Sequence, residues 1–305
     1  MLSHTTPQSL SSKAPQIALI LITVIWGGTF LTVQYALNFT TPMFFVGCRF
    51  AAATLAVLLF SYKAMKGLNL KEIAAGFLIG IVIAAGYGTQ TVALQMISSS
   101  ESAFLTALYV PLVPILLWII FQKMPNIMTW IGVFLAFAGL VLLTGNGLGS
   151  LSFNYGQILT LLGAIAIALE IIFIGYFAGK VDVKRVTVVQ LAVASILSFA
   201  IMPLVGEHTV PAFSWTLLFI AIGLGLASAL IQSVMNWAQR YVPPSQAAII
   251  YAGEPVWAGI FGRLAGERLP ALAIVGGILV VLSVIISELK PKFLQKNKAD
   301  QNEVK

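Results

Sequence analysis

The run IGVFLAFAGLVLL (Ile131–Leu143) holds no charged side chain, and IVGGILVVLSVII (Ile274–Ile286) repeats the pattern with one serine. Ile17–Ile25 and Ala51–Phe60 are nearly as free of polar groups. In hydrocarbon every backbone N–H and C=O must be satisfied within the segment, so runs of this length read as membrane-spanning helices. Composition agrees. Hydrophobic residues make up 59% of the 305 and charged residues 9%, with a mean hydropathy of +0.97. Soluble domains carry about 25% charged residues, so this chain cannot cover a water-facing surface in the usual way. The 26 glycines and 13 prolines fit, because membrane helices tolerate both.

Working outward from these runs gives spans at 15–36, 42–62, 72–94, 100–121, 127–144, 155–177, 186–205, 214–237, 245–263 and 269–288. The expected fold is an all-α integral membrane protein of ten helices. Placing the N-terminus in the cytoplasm puts all but three of the 17 basic residues inside, among them Lys63, Lys66, Lys71, Lys123, Lys180, Lys184, Arg185, Arg240 and the lysines of the C-terminal tail. Arg263 and Arg268 fall outside and Arg49 lies within a span. The positive-inside rule therefore predicts both termini cytoplasmic, in a multi-pass protein of the cell membrane.

The net charge of +7 does not point to nucleic acid, because the basic residues sit between apolar runs and on a tail. Cys48 is the only cysteine, which excludes internal disulfides and multi-cysteine metal sites. No phosphate-cradling glycine loop is present, and His208 beside Glu207 lacks a nucleophile partner, so neither ATP hydrolysis nor another enzymatic activity is expected. No cofactor or metal is expected.

The two halves match weakly but in constant register at an offset near 144. Ala103, Pro111, Gly132 and Leu135 fall opposite Ala247, Pro255, Gly276 and Leu279, Gln95 opposite Gln239, and Trp26 opposite Glu170. RFAAATLAVL from Arg49 and QLAVASILSF from Gln190 align at a slightly shorter offset. Five spans in each half is an odd number, so the halves must insert with opposite topology, a plan secondary transporters use to rock two bundles about a midplane site. The expected organisation is a cytoplasmic tail at 1–14, one five-helix repeat at 15–144, a link at 145–154, a second repeat at 155–288 and a basic cytoplasmic tail at 289–305.

With IWGGTF (Ile25–Phe30), ALYVPLVP (Ala107–Pro114), AGEPVWAGIFGRLAGERL (Ala252–Leu269), IGVFLAFAGLVLL and VGGILVVLSVII in this order, the chain resembles the EamA-type branch of the drug/metabolite transporter superfamily. One departure is Gln122–Lys123 where the second half has Gly266–Glu267. The resemblance implies a central cavity between the halves, with the fifth and tenth spans packed away from it. It also implies a bacterial inner-membrane location and export of small metabolites such as amino acids, amines or amphiphilic drugs.

Ionisable residues inside a membrane are costly and usually face a cavity or a partner. Glu254 lies near mid-membrane, roughly 14 Å into its span at the helical rise, and Pro255 after it removes a backbone donor. It reads either as a substrate-amine or proton site or as a structural carboxylate paired between helices. Glu170 tops a stripe of Gln157, Thr160 and Gly163, which suits cavity lining and interhelical bonding equally. Arg49 reads first as a fixed counter-ion, since guanidinium stays charged. Glu101 reads as a carboxylate favoured by a helix N-terminus. Polar or aromatic faces add Gly225, Ser228, Gln232, Asn236 and Gln239 on the eighth span, and Tyr87 and Gln90 on the third. Trp26, Tyr109 and Tyr251 add aromatics on the first, fourth and ninth. Gly76–Gly80 is a GxxxG pair, more suited to packing.

The expected substrate-binding or cavity set is therefore Glu254, Glu170, Trp26, Tyr87, Tyr109, Gln232, Asn236, Tyr251 and Arg49. Two carboxylates against one arginine favour a cationic or zwitterionic solute with an apolar body. The expected partners are that small-molecule substrate, the lipid bilayer and protons as a candidate coupling ion. A proton-independent facilitator and a non-transporting membrane scaffold are the alternatives.

Overall fold

Helix starts are marked by side chains that absorb orphan backbone donors. Asn69 with Glu72 and Asn154 with Gln157 form reciprocal capping boxes, Ser98, Asp182 and Ser214 cap singly, and Pro42 stands in a first turn. The computed structural model describes residues 13–122, 124, 127–143 and 153–287. The expected link and basic C-terminal tail, apart from Phe153 and Asn154, lie outside the described residues, as do Lys123 and residues 1–12.

The described helices are α1 (Ala14–Ala36), α2 (Pro42–Met65), α3 (Leu70–Ala93), α4 (Ser99–Thr106), α5 (Tyr109–Phe121), α6 (Ile127–Leu143), α7 (Tyr155–Phe177), α8 (Val183–Ile201), α9 (Trp215–Ala238), α10 (Pro244–Tyr251), α11 (Gly253–Leu264) and α12 (Ala271–Ser287). No strand occurs among the described residues. Among the described residues, seven helices are long and apolar enough to cross a membrane, one of them Ser99–Phe121 taken across its interruption.

That interruption corrects the sequence reading. The expected spans at 100–121 and 245–263 are not single helices: the first breaks between α4 and α5, the second between α10 and α11. Pro111 and Pro255 are responsible. Each lacks the N–H that would bond four residues back, to Ala107 and Tyr251, where the helical ladder fails.

Polarity is arranged inside out. Phe60, Leu59, Phe134 and Phe219 are among the most exposed side chains, whereas Glu170, Glu254, Gln190 and Gln232 have no exposed surface. A chain in water would lose far more by exposing such apolar groups than it gained from the buried polar ones; a chain in lipid loses nothing.

Close approach of backbones sets the packing. α6 and α12 lie against each other, and a Cβ on Gly139 would come within 2.7 Å of the Gly276 carbonyl oxygen. Gly76 and Gly80 let α3 meet α8 at Val189 and Val193, so this GxxxG pair serves packing.

Acidic side chains tie distant helix ends together. Glu207 accepts from the backbone N–H of Met43 (2.9 Å) and Phe44 (3.1 Å), capping α2. Glu267 accepts from the N–H and hydroxyl of both Ser99 and Ser100 at 2.5–3.1 Å, capping α4. At another junction Glu72 pairs with Arg185 at 3.2 Å and accepts from the Asp182 N–H at 3.1 Å.

Candidate functional site

The expected cavity residues and their neighbours fall into three groups of buried side chains, each assembled from different helices. The first is aromatic and cationic. Trp26 of α1 stacks with Tyr87 of α3 (centroids 6.4 Å apart, planes 8° apart) and meets Tyr251 of α10 edge-on at 5.8 Å. Phe50 of α2 meets Tyr87 edge-on at 5.2 Å. Arg49 lays its guanidinium over Tyr87 at 5.1 Å and over Phe50 at 5.7 Å, and its Nε donates to Ser228 Oγ at 2.7 Å.

Arg49 is therefore not the fixed counter-ion expected from the sequence. The ion pair among the described residues is Arg185–Glu72, and Arg49 pairs with neither Glu254 nor Glu170. Its guanidinium is held by two aromatic faces and a hydroxyl instead.

The second group is a directed amide chain ending on a carboxylate. Asn236 Nδ2 donates to Gln190 Oε1 (3.2 Å), Gln190 Nε2 to Gln232 Oε1 (2.7 Å), and Gln232 Nε2 to Glu170 Oε1 (2.7 Å). Three helices, α7, α8 and α9, contribute. Gln190 and Gln232 each use their oxygen to receive and their nitrogen to give, so the orientation of one fixes the next.

The third group joins the interrupted helices. Tyr109, the first residue of α5, donates its hydroxyl to Glu254 Oε2 at 3.2 Å. Glu254 sits in the first turn of α11, where the helix dipole favours a carboxylate. Close by, α1 approaches so tightly that a Cβ on Gly27 would come within 2.7 Å of the Glu254 carbonyl oxygen. Tyr251, one turn earlier, accepts from Gln239 Nε2 at 3.3 Å.

Several buried polar atoms within these groups remain unpaired. Of seven buried side-chain atoms without a hydrogen-bond partner among the described residues, five belong here: Trp26 Nε1, Arg49 Nη2, Glu170 Oε2, Gln239 Oε1 and Glu254 Oε1; the other two are Thr41 Oγ1 and Ser102 Oγ. A buried polar group left unsatisfied costs about 1–3 kcal/mol, so five together demand an explanation. They comprise two donors and three acceptors beside an aromatic wall. A solute bearing both a cationic and an acceptor group would satisfy them.

All nine expected residues are buried here, in these three groups. Glu101 stands apart, accepting from Gln157 Nε2 at 2.7 Å at the start of α4. Four members, Gln190, Ser228, Phe50 and Gln239, lie outside the expected set, Gln239 having been read only as part of the polar stripe of the eighth span. Gln190 is the central link of the amide chain, and its signal was a lone amide in the apolar run VVQLAV. Ser228 belonged to a recognised polar stripe without a partner assigned. Phe50 carried no signal, being one aromatic among many in an apolar helix. Among the described residues no group of three or more metal-ligating side chains comes together.

Comparison with known proteins bears on this arrangement. A sequence model of the EamA-like transporter family matches residues 14–145 and again 154–289. The chain is 32% identical, over 90% of its length and 85% of the relative's, to a protein of Archaeoglobus fulgidus named an uncharacterized transporter. It is 28% identical to the uncharacterized inner membrane transporter YedA of Escherichia coli K12, covering 89% of this chain and 90% of that protein. One solved crystal structure matches with a TM-score of 0.67 at 15% identity, over 93% of this chain and 99% of the other, so the two share a fold.

Proposed function

The chain belongs to the EamA-like transporter family and is a multi-pass membrane transporter; we propose that it is a secondary transporter exporting cationic or zwitterionic metabolites, such as amino acids, amines or amphiphilic drugs. The observation that carries this reading is the pair of fully buried carboxylates, Glu170 and Glu254, each with one oxygen unpartnered. Both belong to sets that include aromatic rings or amide donors, and Arg49 keeps one free nitrogen. A cation would find acceptors on the two glutamates, an accompanying carboxylate would find Arg49 Nη2 and Trp26 Nε1, and an apolar body would lie against Trp26, Tyr87 and Tyr251.

In this reading ten spans form two inverted five-helix bundles, with both termini on the lysine-rich side, and the bundles rock about the site. Glu254 carries the coupling proton. Its place beside the break at Ala252 suits that role, because a change in its charge acts where the helical ladder is already interrupted.

The test is solute flux in proteoliposomes with and without a pH gradient. Wild-type flux should rise with the gradient. Glu254→Gln should lose at least about tenfold, equivalent to ~1.4 kcal/mol, and lose its gradient dependence. Flux that is undiminished and gradient-independent in both proteins would leave a facilitator. A protein that no amino acid, polyamine or cationic drug stabilises against heat would favour the scaffold.

A further inference from the structure

Away from the central groups, α2, α8 and α9 leave a crevice of about 700 Å³ between them. Its walls are apolar: Phe60 is 86% exposed, Leu226 54% and Leu230 49%. Leu226, Leu230, Ser233 and Trp237 recur at helical spacing on α9, on a different stripe from Ser228, Gln232 and Asn236, so the crevice faces away from the amide chain.

One end of the crevice is basic. Lys184 lies in the first turn of α8 and Arg240 in the turn after α9, both exposed. Neither forms an ion pair among the described residues. Arg240 is steadied by one weak contact, Nη2 to the Val181 carbonyl oxygen at 3.5 Å, which leaves its other N–H groups available. Asp182 also lines this end, but its Oδ1 accepts from the Lys184 and Arg185 N–H groups and so caps α8. Arg185, the neighbouring cation, is committed to Glu72 and the Ala64 carbonyl oxygen. Trp237 completes the rim, and an indole is the side chain most at home at the level of lipid headgroups.

A cationic end joined to a long apolar channel matches a ligand with an anionic head and a hydrocarbon tail. Basic pockets between membrane helices bind anionic headgroups, and each juxtamembrane cation adds to that attraction. A partner helix would present a convex apolar face and leave both cations uncompensated. We propose that this crevice binds an anionic phospholipid of the leaflet on the lysine-rich side. Its phosphate rests on Lys184 and Arg240, and an acyl chain runs along Phe60, Leu226 and Leu230. The crevice binds this lipid whatever the solute and the direction of transport.

The test uses the full-length protein in nanodiscs of phosphatidylcholine, with and without phosphatidylglycerol. It reads the thermal midpoint and, by native mass spectrometry, the lipid retained. Phosphatidylglycerol should raise the wild-type midpoint by several degrees and remain bound in preference to phosphatidylcholine. The double variant Lys184→Gln/Arg240→Gln should lose both effects. Lys63→Gln/Lys66→Gln, which removes two basic residues outside the crevice, should keep them. Leu230→Trp fills the acyl channel without altering charge and should reduce retention several-fold. Full retention in the Lys184/Arg240 variant would overturn the proposal, as would equal loss in the Lys63/Lys66 variant. So would a midpoint rise of the same size produced by inorganic phosphate alone.

Discussion

The interrupted helices α4–α5 and α10–α11 share a backbone plan and differ in chemistry. At the 144-residue offset Pro111 meets Pro255, and both helices break just before their proline. Both also end alike: Gln122 after α5 and Gly266 after α11 take left-handed backbone conformations, at φ 56° and 95°. The side chains at equivalent positions are unrelated. Val110 stands where the second half has Glu254, and Tyr109, beside Val110, is the donor to that same Glu254. At the far end Lys123 stands where the second half has Glu267, the cap of α4. The two breaks share what the helix interruption requires and differ in their polar groups, one carrying the carboxylate and the other its donor.

The severest way to break this comparison is to give the first helix the chemistry of the second. Val110 is 1% exposed. Val110→Glu buries a carboxylate with no donor placed for it and should cost about 3 kcal/mol or more, seen as a collapse of thermal midpoint and monodisperse yield. A variant that purifies with the wild-type midpoint would mean the two breaks are interchangeable. Tyr109→Phe removes the donor from Glu254 while keeping the ring. It should weaken solute binding by about tenfold, the effect of losing ~1–2 kcal/mol of hydrogen bonding, and change the midpoint little.

The helix ends offer smaller effects. Gln122 is the one non-glycine residue with positive φ among the described residues. Gln122→Gly relieves that conformation, and after the entropy glycine loses on folding a gain of roughly 0.5 kcal/mol should remain, read as a slightly higher midpoint. Gly266→Ala should move the midpoint the other way.

Glu267 supplies a pH-dependent contrast. Partial burial pushes its carboxyl up, but hydroxyl and backbone donors from Ser100 and Ser99 outweigh this and hold it below the ordinary value of 4.5. A depressed folded value means the stabilisation is complete above the unfolded value and is lost as pH falls through the folded one. The midpoint gap between wild type and Glu267→Gln should therefore be present at neutral pH and close as pH falls through the folded value. A gap that persists in acid would show that the serines hold α4 without the charge.

Much of the candidate site was legible because charge is rare inside a membrane. Glu170, Glu254 and Arg49 stand out from apolar surroundings without any structure, and Ser228, Gln232 and Asn236 recur at helical spacing. Their partners were not legible. Arg49 invited a carboxylate partner on charge alone, yet its guanidinium lies over Tyr87 and Phe50. Gln190 gave no hint that it would join Asn236 to Gln232. Pro111 and Pro255 were visible as prolines, but each expected span was drawn unbroken because hydropathy averages across the interruption. Glu207, weighed with His208 as a catalytic remnant, spends both oxygens on the start of α2.

Run length and composition are properties of covalent order, and by themselves they determined that this is a helical membrane protein with rare charges inside its apolar runs. The groups around those charges were decided only in the tertiary structure. Tyr109 reaches Glu254 and Gln232 reaches Glu170 across long separations in the chain. Periodicity tells which residues share a face of one helix. How that face is rotated against its neighbours depends on where backbones approach, as Gly27 does at Glu254 and Gly139 at Gly276, and that is settled by packing among helices.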